Sequence, residues 1–169
     1  MKGLILLIIC LVLGGPHGFA FAYDIEATRS TLRGLQGVHV VVKELDPPEM
    51  EQDGLHKDQL QAYVELRLTL AGIKVLTEEE YRETPGAPVL LVRVLGCTHS
   101  RLMIYGVSVS LELYQKAVLE RELAISALAS TWSVHQVNLV GRKRVRQIRD
   151  SVKDCLDRFI NAYMSVNPK

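Results

Sequence analysis

Three groups of residues in this 169-residue chain have types and spacings that could carry chemistry. Cys97 and His99, in "GCTHSR", stand two apart, so an extended chain points both to one side. That is the geometry of a thiolate–imidazole pair or of half a metal site. The run "GRKRVRQIRDSVKD" packs Arg142, Lys143, Arg144, Arg146 and Arg149 into eight residues, enough positive charge to hold an anion. The segment "EEEYRE", Glu78 to Glu83, gathers carboxylates, but a paired acid–base site needs a second carboxylate from elsewhere. The other histidines, His39, His56 and His135, show neither helical ligand spacing nor a zinc-like pattern with cysteine. The chain has no G-x-S-x-G elbow and no Walker-type phosphate loop. Catalysis has no positive signal, no cofactor or metal is implied, and an enzyme built on Cys97 and His99 is the weakest of three functional readings.

The ends set the compartment. The chain opens "MKGLILLIICLVLGGPHGFAFAYD": Lys2, an apolar run from Leu4 to Leu13, a break at Gly14–Pro16, and small residues Ala20 and Ala22 before Tyr23. This is the three-part layout of a secretory signal peptide spanning residues 1–22. The run of about ten residues is half of the roughly 20 that a membrane-spanning helix needs. Cys10 belongs to the apolar run, because Ile8 and Ile9 precede it where a lipoprotein would have small residues. Residues 23–169 form one domain with no further transmembrane segment, placed in the periplasm or outside the cell. Removing the leader takes one of 20 basic residues and none of 19 acidic ones, leaving 19 against 19 and no net charge. Nucleic-acid binders carry a basic excess, so nucleic acid is excluded as a partner. The two remaining cysteines, Cys97 and Cys155, read as two separate buried thiols, with a disulfide as the alternative that an oxidising compartment allows.

The elements that must position these residues follow from periodicity. "VHVVVKEL" alternates as a strand, and "DPPEMEQDG" stops it. Leu60, Val64, Leu68 and Ala71 form one helical stripe that ends at Gly72. "IKVL" reads as a short strand, and Thr77 with Glu80 as a capping box. "PVLLVRVLG" is apolar on both faces, as a central strand would be. In "RLMIYGVSVSLELYQ", Met103, Tyr105, Val107, Val109, Leu111 and Leu113 face one way. Gly106, Ser108 and Ser110 line the opposite face, a short-chained surface suited to docking. "KAVLERE" reads as the turn into a last strand through Trp132, with a helix over Leu119–Ser130 as the alternative. Val145, Ile148, Val152, Leu156, Phe159 and Tyr163 mark a strong amphipathic helix. Residues from Tyr23 to Gly37 read as a loosely held arm. The expected fold is α+β: a mostly antiparallel sheet of about five strands with two main helices packed on one face, in the order β-α-β-β-β-β-α.

On that last helix, Arg142, Arg146, Arg149 and Lys153 form a ridge flanked by Asp150, Asp154 and Asp157, with four-residue pairs at Arg146–Asp150 and Lys153–Asp157. Arg142, Lys143 and Arg144 crowd the helix's amino end, where the backbone dipole is already positive.

From "LRGLQGVHVVVKEL" through "LAGIKVL", and again at "FINAYMSVNPK", the chain resembles exported bacterial proteins of uncharacterised function. Its layout is similar to the amino-terminal α/β domain of the Tol-system translocation protein. Neither resemblance implies a catalytic site. The leading expectation is a non-catalytic periplasmic accessory protein whose partner is another envelope protein. The alternative is a binder of anionic lipid or glycan phosphate through the basic helix end. Amino-terminal sequencing of the exported protein is expected to begin at Tyr23, and a sequence beginning at Met1 would overturn the leader assignment.

Overall fold

The computed structural model describes residues 19–99 and 101–168; Lys2, Cys10 and the apolar run of the expected leader lie outside them. Five strands, β1 (Phe19–Tyr23), β2 (His39–Val42), β3 (Val89–His99), β4 (Ile104–Leu119) and β5 (Glu122–Gly141), form one sheet in the order β1-β5-β4-β3-β2. Three of its pairings are antiparallel, and β2 joins β3 in parallel. Short helices α1 (Glu26–Ser30), α2 (Glu49–Gln52) and α4 (Glu78–Glu83) occupy the connections. The long helices are α3 (Lys57–Leu70) and α5 (Ile148–Val166).

Alternation puts Val40, Val42, Leu90, Val92, Val94, Tyr105, Val107, Val109, Leu111 and Leu113 on the inner sheet face, all buried. Against that face lie Leu60, Val64 and Leu68 of α3 and Ile148, Val152, Leu156 and Phe159 of α5, also buried. Each such side chain contributes about 1.5–3 kcal/mol through removal from water. Thr77 caps α4 as its spacing requires: its Oγ1 accepts from the Glu80 N–H (3.2 Å), and the Glu80 carboxylate accepts from the Thr77 N–H (2.9 Å). Gly72 takes φ +78° just after the α3 C-cap, the left-handed region where a Cβ is penalised.

Four expectations need correction. "IKVL" is not a strand; Val75 makes a single parallel bridge to Val38, while Ile73 and Leu76 are buried as core plugs. The fifth strand is Phe19–Tyr23, which overlaps the expected leader. "KAVLERE" holds the turn only at Glu120–Arg121, because the strands run on to Leu119 and resume at Glu122. Met103 does not face the core: it sits at φ +52° in the β3–β4 turn and is exposed, so the alternation begins at Ile104. The helix alternative for Leu119–Ser130 is not taken; the segment is the end of β4, the Glu120–Arg121 turn and the start of β5.

The segment after Tyr23 is also tied down, not loose. Trp132 Nε1 donates to Asp24 Oδ1 (3.0 Å), and Arg29 donates to both oxygens of the same carboxylate (2.6 and 2.8 Å). The Trp132 indole meets Phe159 of α5 edge-on, with ring centroids 5.3 Å apart. Asn167 closes the other end: its side chain donates to Leu32 O (2.9 Å) and accepts from the Gly34 N–H (2.8 Å). Tyr163 adds a bond from its hydroxyl to Leu35 O (3.0 Å).

The Arg29 guanidinium bonded to Asp24 holds that carboxyl below its ordinary value, despite an opposing push from burial. A depressed carboxylate contributes stability above its unfolded pKa of about 3.9, and that contribution is lost as pH falls through the folded value. Asp24→Asn is therefore expected to cost about 1–3 kcal/mol at neutral pH. Urea unfolding followed across the acid range should then show a shallower loss of stability below about pH 4 than in the unsubstituted protein.

Candidate functional site

Only Arg149 of the basic run sits on the α-helix that its spacing suggested. Arg142–Gln147 form a 3-10 turn with non-helical backbone at Arg144 (φ −116°, ψ 17°), and α5 proper begins at Ile148. Arg142, Lys143 and Arg144 therefore precede the helix's first turn. Arg142 Nε donates to Asp53 Oδ2 (2.7 Å), the same oxygen that accepts from the Tyr105 hydroxyl (2.6 Å). Arg149 lies over the Tyr63 ring, 5.6 Å from its centroid, and Arg146 packs beside Gly54. Among the described residues Arg146 makes no ion pair with Asp150, whereas Lys153 does pair with Asp157 (3.0 Å). Lys143 and Arg144 are left exposed. The run thus chiefly fastens the β5–α5 corner to the loop after α2.

The cysteine readings resolve by position. Cys97 and Cys155 are free thiols, so the bridge that their even count allowed does not form. Cys97 is exposed on β3, while Cys155 is buried on the inner side of α5, where burial pushes its thiol up to about 11. His99 Nδ1 accepts from the Leu102 N–H (3.3 Å), so its ring caps the β3–β4 turn. Among the described residues no three His, Cys, Asp or Glu side chains converge as metal ligands would.

Gly106, Ser108 and Ser110 do lie together on the outer face of the sheet, which neither α3 nor α5 covers. Their cross-strand neighbours were not legible beforehand. Gly106 pairs with Cys97 on one side and Leu139 on the other, and Ser108 with Leu95 and Val137. The stripe is thus a shallow trough between two rows of exposed residues, with Leu139 at 78% exposure. Further along, Ser110 and Glu112 are buried on this face. The Ser110 hydroxyl donates to Glu112 Oε1 (3.1 Å), the Tyr114 hydroxyl donates to Oε2 (2.9 Å), and Arg93 stands 3.8 Å away. The bond to Glu112, then burial, holds the Tyr114 hydroxyl above its ordinary value.

Beyond that network the face opens into a hollow of about 420 Å³, bounded by His39, Lys43, Tyr81, Arg93, Tyr114 and Leu128. The His39 and Tyr81 rings are stacked, with centroids 4.6 Å apart and planes 17° from parallel. His39 Nδ1 is 2.9 Å from Leu76 O, which fixes the ring. Five elements supply this hollow, so no local motif could have shown it. The cluster supplies an aromatic platform and two cations, with the Glu78 carboxylate, paired to Arg82, also on its wall. The Glu112 carboxylate and the Ser110 and Tyr114 hydroxyls are bonded to one another.

No protein-family model and no curated protein matches the chain. Among solved structures it is similar to a single-substitution variant of the PelC dodecamer from Paraburkholderia phytofirmans, at 13% identity and a TM-score of 0.45, covering 83% of this chain and 96% of that one. A second PelC dodecamer structure from the same organism gives 12% identity and a TM-score of 0.43, covering 86% and 96%.

The Tyr105 hydroxyl is held above its ordinary value, first by burial and next by the bond to Asp53. In Asp53→Ala the second cause disappears while the first stays. An ultraviolet titration of the tyrosines is expected to show one hydroxyl ionising at lower pH than in the unsubstituted protein. The urea midpoint should fall as Arg142 loses its anchor.

Proposed function

We propose that the chain is an exported, non-catalytic binding protein of the bacterial envelope, working in the periplasm by docking another envelope protein on the open face of its sheet. The observation that carries this reading is the trough of Gly106 and Ser108 between Leu95, Val137 and Leu139. Apolar side chains held in rows on an uncovered face cost free energy in water, and covering them recovers it. A stripe of glycine and serine between the rows lets a partner's backbone or side chains approach closely. The described residues contain no helix long and apolar enough to cross a membrane.

The mode of binding follows from the same geometry. The trough is apolar at its walls and neutral along its floor, so association through it should be insensitive to salt. Association through Arg142–Arg149 would weaken as salt rises. A photo-crosslinking amino acid placed at Leu139 in growing cells is expected to give one discrete adduct with an envelope protein, and the same group at Arg82 none. Val137→Glu is expected to abolish the adduct while leaving the thermal midpoint within a few degrees, since Val137 is exposed. Equal crosslinking from both positions would sink the reading.

A further inference from the structure

The hollow over β2 and β3 has a graded floor. Parallel pairing sets His39 beside Val89 and Val41 beside Leu91. Alternation returns to the same face at Lys43 and Arg93, and all six side chains line the hollow. Along the strands the floor therefore passes from an aromatic end, through an apolar middle, to a cationic end. The first row lies four residues from the third, about 13 Å at the rise of a strand. The walls follow the same gradient. Tyr81 stacks on His39. Leu128 is carried towards the same end, since its partner Lys116 donates its N–H to Gly86 O (2.7 Å), just before Val89.

At the cationic end the positive charge is not used up. Lys43 is exposed and makes no ion pair among the described residues. The two oxygens of Glu112 accept from the Ser110 and Tyr114 hydroxyls, and Arg93 stands 3.8 Å off, beyond hydrogen-bond length. A guanidinium has five N–H donors, so Arg93 keeps some to offer. Glu78, the carboxylate on the wall, is already paired with Arg82. Two carboxylates thus face three cations, and one positive charge is left over. The volume of about 420 Å³ falls within the range of roughly 300–1,000 Å³ that small-molecule sites occupy.

We propose that the hollow binds a small amphipathic anion, with one carboxylate or phosphate ester carried on an apolar body up to about 13 Å long. The charged group sits between Lys43 and Arg93, where the planar guanidinium matches a carboxylate or phosphate. The body runs along Val41 and Leu91 to Val89 and ends against Tyr81 and Leu128, which removes both surfaces from water. The gradient selects this class of ligand. A cation would meet Lys43 and Arg93 at close range, and an inorganic anion would leave the apolar floor wet. The site shares no residue with the trough of Gly106, Ser108 and Leu139, and it does not rest on the docking reading above.

Titration calorimetry of the exported protein with monomeric decanoate is expected to show saturable binding at a single site. Decanol has the body without the charge, and acetate the charge without the body. Each is expected to bind at least about tenfold more weakly than decanoate. That comparison needs no variant. Lys43→Glu is expected to weaken decanoate binding about tenfold, and Leu128→Glu to weaken it too. Both side chains are exposed, so both variants should keep their thermal midpoint within a few degrees. Val137→Glu, in the trough, is expected to leave decanoate binding unchanged. Phosphatidylglycerol vesicles that compete with decanoate would assign the anion to a bilayer lipid; vesicles that do not would assign it to a free molecule. Absence of decanoate binding would overturn the proposal. So would decanol or acetate matching decanoate, binding that survives Lys43→Glu, or binding that Val137→Glu abolishes.

Discussion

Two amphipathic helices can cover one face of a sheet, and every sheet has two. The rest of this molecule depends on that mismatch. The stripe Leu60, Val64 and Leu68 and the stripe Ile148, Val152, Leu156 and Phe159 bury the inner residues of β2 to β5, and among the described residues no other long helix remains for the outer side. The outer face has to be stable bare, and part of it is built for that. Glu112 is 8% exposed there, yet its carboxylate accepts from Ser110 and Tyr114 with Arg93 nearby. A buried charge so surrounded avoids the several-kcal/mol penalty of an unpaired one. The rest of the face, at Leu95, Val137 and Leu139, has no such arrangement and stays apolar in water.

The edges of the two layers are held by polar joints, each made of one carboxylate shared between two donors. Asp24 accepts from Trp132 and Arg29, which ties the start of the domain to β5 and, through the indole, to Phe159. Asp53 accepts from Tyr105 and Arg142 and does the same at the far end of the sheet. In both, a buried aromatic offers its only polar hydrogen, and a partly exposed arginine completes the pair. Burying Trp or Tyr without such an acceptor would leave a donor unsatisfied.

The layers were legible in the sequence because they rest on periodicity. The α3 and α5 stripes, the inner rows of β2 and β4, the α4 capping box and the outer placement of Gly106, Ser108 and Ser110 all follow from local spacing. What was not legible depends on neighbours brought from afar. "IKVL" has the residues of a strand, but the Thr77 cap begins a helix directly behind it and leaves one bridge to Val38. The basic run looked like free charge because Asp53 lies 89 residues from Arg142. The trough walls come from β3 and β5, and the hollow from five elements, so neither leaves a trace along the chain.

β1 spans the bond between Ala22 and Tyr23, where the leader is expected to be cut. Four of its five residues would leave with the leader, and with them most of the ladder along Ser133–Val137. Precursor and product would then be different sheets: five strands with β5 covered along Ser133–Val137, and four strands with that stretch bare. Such a cut would do more than release the polypeptide. It would fix the moment at which the Ser133–Val137 margin first becomes available, and it would keep that margin masked while the chain is still in transit.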